Sequence, residues 1–276
     1  MRKTLLFLVL VTLASCSNLQ FLNSFDGFHD KPEIVEIKTY KVEYDEDAIV
    51  EKPAYSEIIY YDLEGRKIKR NTYKSDGTTD EGDRLYEYDK NGLLLKEVLY
   101  KKDGSVQYKI ENEYNQFGQL IINDFSSEKN KMVREFTFDR LKKTSKLIRK
   151  NQDGAILERA TFKYDKQWRV VELKELNKDN TQTSRIEFFY DERGNQILSK
   201  WYNSENHLTI YYNSVYNAKN QRTKVERYHV TDGKAKYISS EEFEYTYDNH
   251  QNVIEKKSIS NGKISWITRY NYTYFR

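Results

Sequence analysis

The side chains able to do chemistry are unevenly supplied in this 276-residue chain. It holds one cysteine, Cys16, and four histidines, His29, His207, His229 and His250, no two of them at metal-ligand spacing. A lone thiol forms no intrachain disulfide, and scattered imidazoles do not make the donor set of a zinc site. They read as solvated side chains, and no metal or cofactor is expected. Carboxylates are the opposite case. With 43 Asp and Glu residues, chance pairs such as Glu241-Glu242 are inevitable. Acid–base catalysis needs two carboxyls at a defined separation in a cleft with shifted pKa values, and nothing in the sequence selects such a pair. Asp45-Glu46-Asp47 lacks the spaced oxygen ligands of a dedicated calcium loop. There is no nucleophile elbow and no phosphate-binding glycine loop. The expectation is a protein that is not an enzyme.

The acids that do stand out recur in every unit of a repeat. Asp62, Asp89, Asn115, Asp139, Asp165, Asp191, Asn217 and Asp248 follow one another at intervals of 24 to 31 residues, most often 26. A near-constant period of this size marks a repeat architecture. An active site is normally single, whereas turn formers are repeated, so these anchors read as turn residues. An aromatic precedes every anchor: Tyr61, Tyr88, Tyr114, Phe138, Tyr164, Tyr190, Tyr216 and Tyr247. Two residues further back, Tyr86, Phe136, Phe162, Phe188 and Tyr245 repeat the preference. Alternate residues of a strand share a face, so these columns line one side of a sheet. A second turn recurs between anchors, as at Asp76-Gly77, Asp103-Gly104, Asp153-Gly154, Asp232-Gly233 and Asn261-Gly262. Such dipeptides are the signal of a type I′ hairpin.

Two turns and two strands per unit give an all-β chain, an antiparallel hairpin array of about 16 or more strands in an extended or spiralling single sheet. Little or no helix is expected outside the leader. Residues 33–54 read as an N-terminal cap, 55–264 as eight repeats, and 265–276 as a closing edge strand whose Arg269 and Arg276 discourage further pairing. An outer-membrane barrel is disfavoured, because segments such as LLKEVLYKK and VERYHVT put charges on both faces of a strand. With 24 Tyr, 32% charged residues and two prolines, rings and the stems of Lys and Glu supply the buried area in place of a thick aliphatic core. The formal charge is +3, about +1 without Arg2 and Lys3, and Lys and Glu alternate along the chain. A basic stripe tracking phosphates is missing, so nucleic acid is rejected as a partner.

Met1-Arg2-Lys3, the apolar run Leu5 to Leu13 and the small residues after it have the three parts of a secretory signal over residues 1–15. Leu13-Ala14-Ser15-Cys16 resembles the lipobox of bacterial lipoproteins. That resemblance implies cleavage before Cys16, lipidation of Cys16 and attachment of the mature chain to a membrane. Ser17 and Asn18 lack the Asp of an inner-membrane retention signal, so the resemblance favours the outer membrane. The first acidic residue, Asp26, comes late, which leans toward its periplasmic side. Residues 16–32 read as a lipidated tether.

A second resemblance covers roughly residues 55 to 276. Tyr61-Asp62 with Gly65, Tyr88-Asp89 with Gly92 and Tyr190-Asp191 with Gly194 look like the Y-D-x-x-G core of YD repeats, as in rearrangement-hotspot (Rhs) proteins, and Gly118 occupies the same place after Asn115. Lys142, Trp168, Asn220 and Gln251 replace the glycine in the other units, whose turns are expected to be looser or differently built. The resemblance implies hairpin units in a spiralling sheet. Eight units make a ribbon of roughly 75 Å, too little for a cargo chamber. What remains is a lipid-anchored envelope protein that binds or scaffolds glycan or protein through aromatic rings, with Trp168, Trp201, Tyr202 and Trp266 as stacking candidates. A glycan-active hydrolase with its site in one degenerate repeat, or a toxin-neutralising or secretion-associated partner protein, are the alternatives.

Overall fold

A computed structural model describes residues 28–276 apart from 47 and 80. The leader and residues 16–27 of the tether, with Cys16, lie outside the described residues. The described chain is all β, with no helix. In chain order the first nine strands are β1 (Pro32–Asp45), β2 (Ala48–Tyr61), β3 (Lys67–Lys74), β4 (Glu81–Tyr88), β5 (Leu94–Lys101), β6 (Val106–Tyr114), β7 (Leu120–Ser127), β8 (Lys131–Asp139) and β9 (Thr144–Asn151). The other nine are β10 (Ile156–Tyr164), β11 (Val170–Leu176), β12 (Gln182–Tyr190), β13 (Gln196–Tyr202), β14 (Leu208–Tyr216), β15 (Arg222–Thr231), β16 (Lys234–Tyr247), β17 (Val253–Ser260) and β18 (Lys263–Tyr274). All eighteen belong to one antiparallel sheet. The hairpin array expected from the two-turn repeat is therefore present.

The chain forms two compact units. One holds residues 110–221 and 225–238, the other 28–109, 222–224 and 239–276. The second contains the main departure from an open-ended array. β1 pairs with β2 on one side, Val35 opposite Ile59, and with β18 on the other, Val35 opposite Tyr272. Neither the 33–54 segment nor 265–276 is an edge, so the expected cap and closing edge strand are corrected. The first strand joins the first and last hairpins, and the sheet closes there. The physical reason is saturation: over residues 266–274 the edge that β18 would have left open is paired with β1. Val35, Ile59 and Tyr61 are buried at this seam, with Phe28, Ile37, Tyr270 and Tyr272 packed around them.

In the first unit the alternation of strand side chains builds the core directly. Along β10, Ala160, Phe162 and Tyr164 are buried while Leu157 and Lys163 are exposed. Phe162 lies opposite Leu173 of β11, and Leu173 opposite Ile186 of β12. With Phe136, Leu147, Val170 and Phe188 these residues form one apolar cluster, each large side chain contributing about 1.5–3 kcal/mol by its burial. The opposite face is charged. Lys163 pairs with Glu172 at 2.9 Å and Lys150 with Glu135 at 2.6 Å, and Arg185 pairs with Glu187.

The anchors make the first turn. Asp62 Oδ1 accepts the backbone N–H groups of Glu64 (3.1 Å) and Arg66 (2.8 Å). The same pair of bonds recurs at Asp89, Asn115, Asp165, Asn217 and Asp248. The residue three beyond the anchor sits at positive φ, as Gly65 (79°), Gly92 (79°), Gly118 (72°) and Gly194 (90°) do. Trp168 (62°), Asn220 (60°) and Gln251 (68°) adopt that conformation without glycine, so their turns keep the common plan. Only the turn after Asp139 is rebuilt, with positive φ at Lys143 (51°) and not at Lys142.

The second turns correct the type I′ expectation in most units. Both central residues have positive φ only at Asp232-Gly233 and Asn261-Gly262. At Gly77, Gly104 and Gly154 the glycine alone is positive, and its N–H donates three residues back, as Gly77 does to the Lys74 carbonyl at 3.0 Å. These are three-residue loops ending in a left-handed residue, which the longer spacing around Asp-Gly accommodates.

Candidate functional site

The anchor carboxylates are consumed by structure. Hydrogen bonds from the Asn195 side chain and backbone hold the Asp191 carboxyl below the ordinary carboxylate range. An acid held ionised in a turn does not donate protons near neutrality.

The aromatic column is not an open platform. Tyr88 donates to the Lys67 carbonyl at 2.8 Å, Tyr190 to Val170 at 2.7 Å and Tyr216 to Gln196 at 3.1 Å, in each case reaching back about one repeat. Tyr164 is buried, its hydroxyl 2.7 Å from Ser145 Oγ, and Tyr114 and Tyr190 pack against the apolar cluster. Burial pushes the Tyr190 phenol up to about 12. The column is covered, because the face that carries it is the face on which each unit has its core.

The four stacking candidates go to different places. Trp201 and Tyr202, adjacent in β13, point to opposite faces. Trp201 packs against the apolar cluster. Tyr202 donates to Glu187 at 2.6 Å with the Arg185 guanidinium 3.8 Å over its ring. Trp266, in β18 of the other unit, is 40% exposed. Trp168 stands in a first turn, 5.5 Å from the Tyr164 ring.

Trp168 also belongs to a row that the sequence did not announce. Arg140, from the turn before, has its guanidinium 3.8 Å from the Phe117 ring centroid and 5.9 Å from that of Trp168, and Lys143 Nζ lies 5.9 Å from the same indole. Three successive first turns thus contribute Phe117, Arg140 and Trp168 to one stack. Phe117 is 51% exposed and the neighbouring Leu141 is 99% exposed. The signal lay in the turn tips, where Asn-Gln-Phe-Gly carries an aromatic and Asp-Arg-Leu-Lys an arginine beside an apolar residue.

A second group lies on the core face of the first unit. Arg134 of β8 is directly opposite Arg149 of β9, one step along from the Phe136–Leu147 pair. Arg134 donates to Asn123 Oδ1 at 2.7 Å, and Asn123 to Asn112 Oδ1 at 2.8 Å. Arg149 is paired with Glu158 at 2.6 Å and approaches the Met132 sulfur at 3.7 Å. Ser184 donates to Glu175 at 2.5 Å. Burial, with repulsion from Glu158, pushes the Glu175 carboxyl up, and burial beside Arg149 pulls Arg134 down. Counting two residues back along the aromatic columns reaches Arg134, a charge in a position that Ala160 and Ile186 fill in the next two even-numbered strands. That was the available signal.

Of the histidines expected to be solvated, His250 is engaged through its ring and His29 through its backbone only. His250 Nδ1 pairs with Asp30, and Asn252 donates to the His29 carbonyl and to Tyr274, each at 3.0 Å. Phe28 lies 5.3 Å from the Tyr272 ring. The end of the expected tether is therefore docked on the last first-turn and on β18. Elsewhere in that unit, a shallow groove of about 450 Å³ is lined by Tyr55, Thr72, Tyr73, Lys74 and Glu81. It contains none of the stacking candidates. Among the described residues no group of three or more His, Cys, Asp or Glu is placed to hold a metal ion.

No family model and no curated protein matches the chain. Among solved structures it is similar to a porin-like protein from Bacteroides uniformis at 12% identity and a TM-score of 0.44, covering 89% of this chain and 98% of that one. A porin-like protein from Bacteroides vulgatus is similar at 10% identity and a TM-score of 0.31, covering 86% and 97%. The Tc holotoxin pore of Photorhabdus luminescens is similar at 12% identity and a TM-score of 0.28, over 85% of this chain and 14% of that one.

Proposed function

We propose that this is a non-enzymatic, lipid-anchored binding or scaffolding protein of the cell envelope, held at the outer membrane through Cys16 and presenting its turn rim to a glycan or protein partner. The observation that carries the reading is the Phe117–Arg140–Trp168 stack. Its rings and guanidinium are drawn from three separate turns, and the half-exposed Phe117 and the fully exposed Leu141, next to Arg140 in the chain, leave apolar surface in water. Flat apolar faces with a cation between them suit stacking on sugar rings or on a partner's side chains. The test is retention of envelope glycans and of envelope proteins by the parent, compared with Phe117→Ala and Arg140→Ala, each checked for an unchanged melting temperature. Loss of at least about tenfold in affinity at equal stability supports the rim. Equal retention by the variants rejects it. Separately, Cys16→Ser is expected to move the chain from the membrane to the soluble fraction, and unchanged sedimentation removes the anchor.

A hydrolase would draw on Glu158 and Glu175, two core-face carboxyls whose environments differ: Arg149 pairs with one, and burial raises the pKa of the other. On the non-enzymatic reading, envelope glycans incubated with the protein release no reducing ends. Release that disappears in Glu175→Gln would replace that reading with the enzyme.

A further inference from the structure

The core face of the first unit carries a second opportunity for recognition, independent of the turn rim. Two guanidiniums standing directly opposite each other on neighbouring strands repel, and like charges in that position destabilise a sheet. An apolar pair would fit there better, as Phe136 and Leu147 do one step away. Arg149 has Glu158, while Arg134 has no carboxylate at ion-pair distance among the described residues: its side-chain hydrogen bond goes to the neutral Asn123, and the attraction of Glu158 offsets its burial only in part. The Nε–H groups of both arginines are buried and without an acceptor among the described residues. A buried charged donor left unmet costs free energy. The pair is not sealed, since the Arg149 and Glu158 side chains keep 20% and 24% of their exposure.

We propose that Arg134 and Arg149 form a binding site for a small oxyanion, a carboxylate or phosphate group that accepts from their two Nε–H groups. The arrangement has the chemistry such a group requires. Guanidinium N–H bonds to an oxyanion are charge-assisted and directional, and an anion placed between the two cations relieves their repulsion. Asn123 fixes Arg134 from one side and Glu158 fixes Arg149 from the other, so neither arginine needs reordering when the ligand arrives. The depressed pKa of Arg134, caused by burial and by Arg149, is the electrostatic mark of the same unrelieved pair. Glu175 sits two strands from Arg149 and is held by Ser184, which keeps its carboxyl occupied away from the arginines.

The experiment is a titration of the purified full chain with sodium phosphate and, in a second arm, sodium acetate, with chloride as the ionic-strength control. Two signals are read: melting temperature, and the NMR resonances of the arginine Nε–H groups. The expected result is a saturable rise in melting temperature with one or both oxyanions, and movement of the Arg134 and Arg149 resonances at the same concentrations. Arg134→Gln and Arg149→Gln should each weaken the binding by about tenfold or more. Arg70→Gln, in the other unit, should leave it within about twofold. The two arms separate a carboxylate ligand from a phosphate. The proposal is overturned if chloride reproduces the effect, if the Arg134→Gln protein binds as the parent does, or if neither oxyanion moves the two Nε–H resonances up to about 50 mM. Should Arg149→Gln fail to fold, the resonances of the parent protein still decide.

Discussion

Each unit places a pair of arginines face to face across adjacent strands, and the two pairs are equipped differently. In the unit built on β1 to β5, Arg70 faces Arg84. Arg70 is paired with Glu57, and Arg84 lies 3.7 Å from Glu97, which also accepts a hydrogen bond from Tyr108 at 2.6 Å. Burial alone would lower the Arg70 pKa, but Glu57 more than offsets it and the pKa is raised. In the other unit Arg134 and Arg149 have one contacting carboxylate between them, and the Arg134 pKa is lowered. An Nε–H without acceptor occurs in both, at Arg70 as well as at Arg134 and Arg149. An unmet donor is thus not the distinguishing mark. The difference is charge: one pair is neutralised arginine by arginine, and the other retains a positive group whose only hydrogen bond is to an amide.

The widest separation between the pairs is expected from removing one arginine of each. Arg70→Leu strands Glu57, whose side chain is 16% exposed, and should cost about 2 kcal/mol or more, because breaking a largely buried pair leaves a charge uncompensated. Arg134→Leu removes a charge that has no carboxylate and relieves repulsion on Arg149, so stability should be unchanged or rise by up to about 1 kcal/mol. Urea midpoints at constant slope check both. Equal losses in the two variants would break the comparison.

Removing a carboxylate sharpens it. Glu158→Gln leaves both arginines of its pair without an acid, with an expected loss of about 2 kcal/mol, whereas Glu97→Gln leaves Arg70 its Glu57 and should cost about 1 kcal/mol. Adding phosphate should restore part of the Glu158→Gln loss and none of the Glu97→Gln loss. Thermal melts with and without phosphate measure it.

These contrasts were only partly legible in the sequence. The period of the anchors gave the strands and both turns, because Asp, Asn and Gly act locally: Asp89 accepts the N–H groups of Asn91 and Leu93 within its own turn. Gly92 at a φ of 79°, with open space around the missing Cβ, is the same kind of local fact. Gly92→Val should cost about 1 kcal/mol in the urea midpoint. The closure through β1 was not legible, since Val35 meets Tyr272 across the length of the chain and no local pattern encodes that pairing. Nor was the fate of the aromatic columns. Alternation assigned Tyr164 and Phe162 to one face correctly, but which face would be covered depended on the strands packing around it. The arginine pairs stand in plain alternation behind the aromatics, where charge in a strand reads first as solvated.

The smallest expected effect concerns Glu175, and it tests whether charge on the core face of the first unit is tolerated. Burial and the neighbouring Glu158 raise its pKa in the folded protein above the unfolded value. For a carboxyl shifted in this direction, the folded state binds the proton more tightly than the unfolded chain does. Its contribution is therefore fully present below the unfolded pKa and is lost as pH rises through the raised, folded one. Glu175→Gln replaces the ionising group by a neutral isostere that keeps an acceptor for the Ser184 hydroxyl. Relative to the parent, the variant should gain melting temperature at neutral pH, and the gain should shrink toward zero as the pH is lowered below the ordinary glutamate range. The corresponding change on the opposite face, Glu172→Gln, has the other sign: Glu172 pairs with Lys163 at 2.9 Å, so losing its charge removes an attraction at neutral pH. Melting temperatures of the two variants at neutral pH should depart from the parent in opposite directions. If both lose stability together as the pH rises, the core face holds its charges no less comfortably than the outer face does, and the imbalance assigned to the Arg134–Arg149 pair has no energetic consequence.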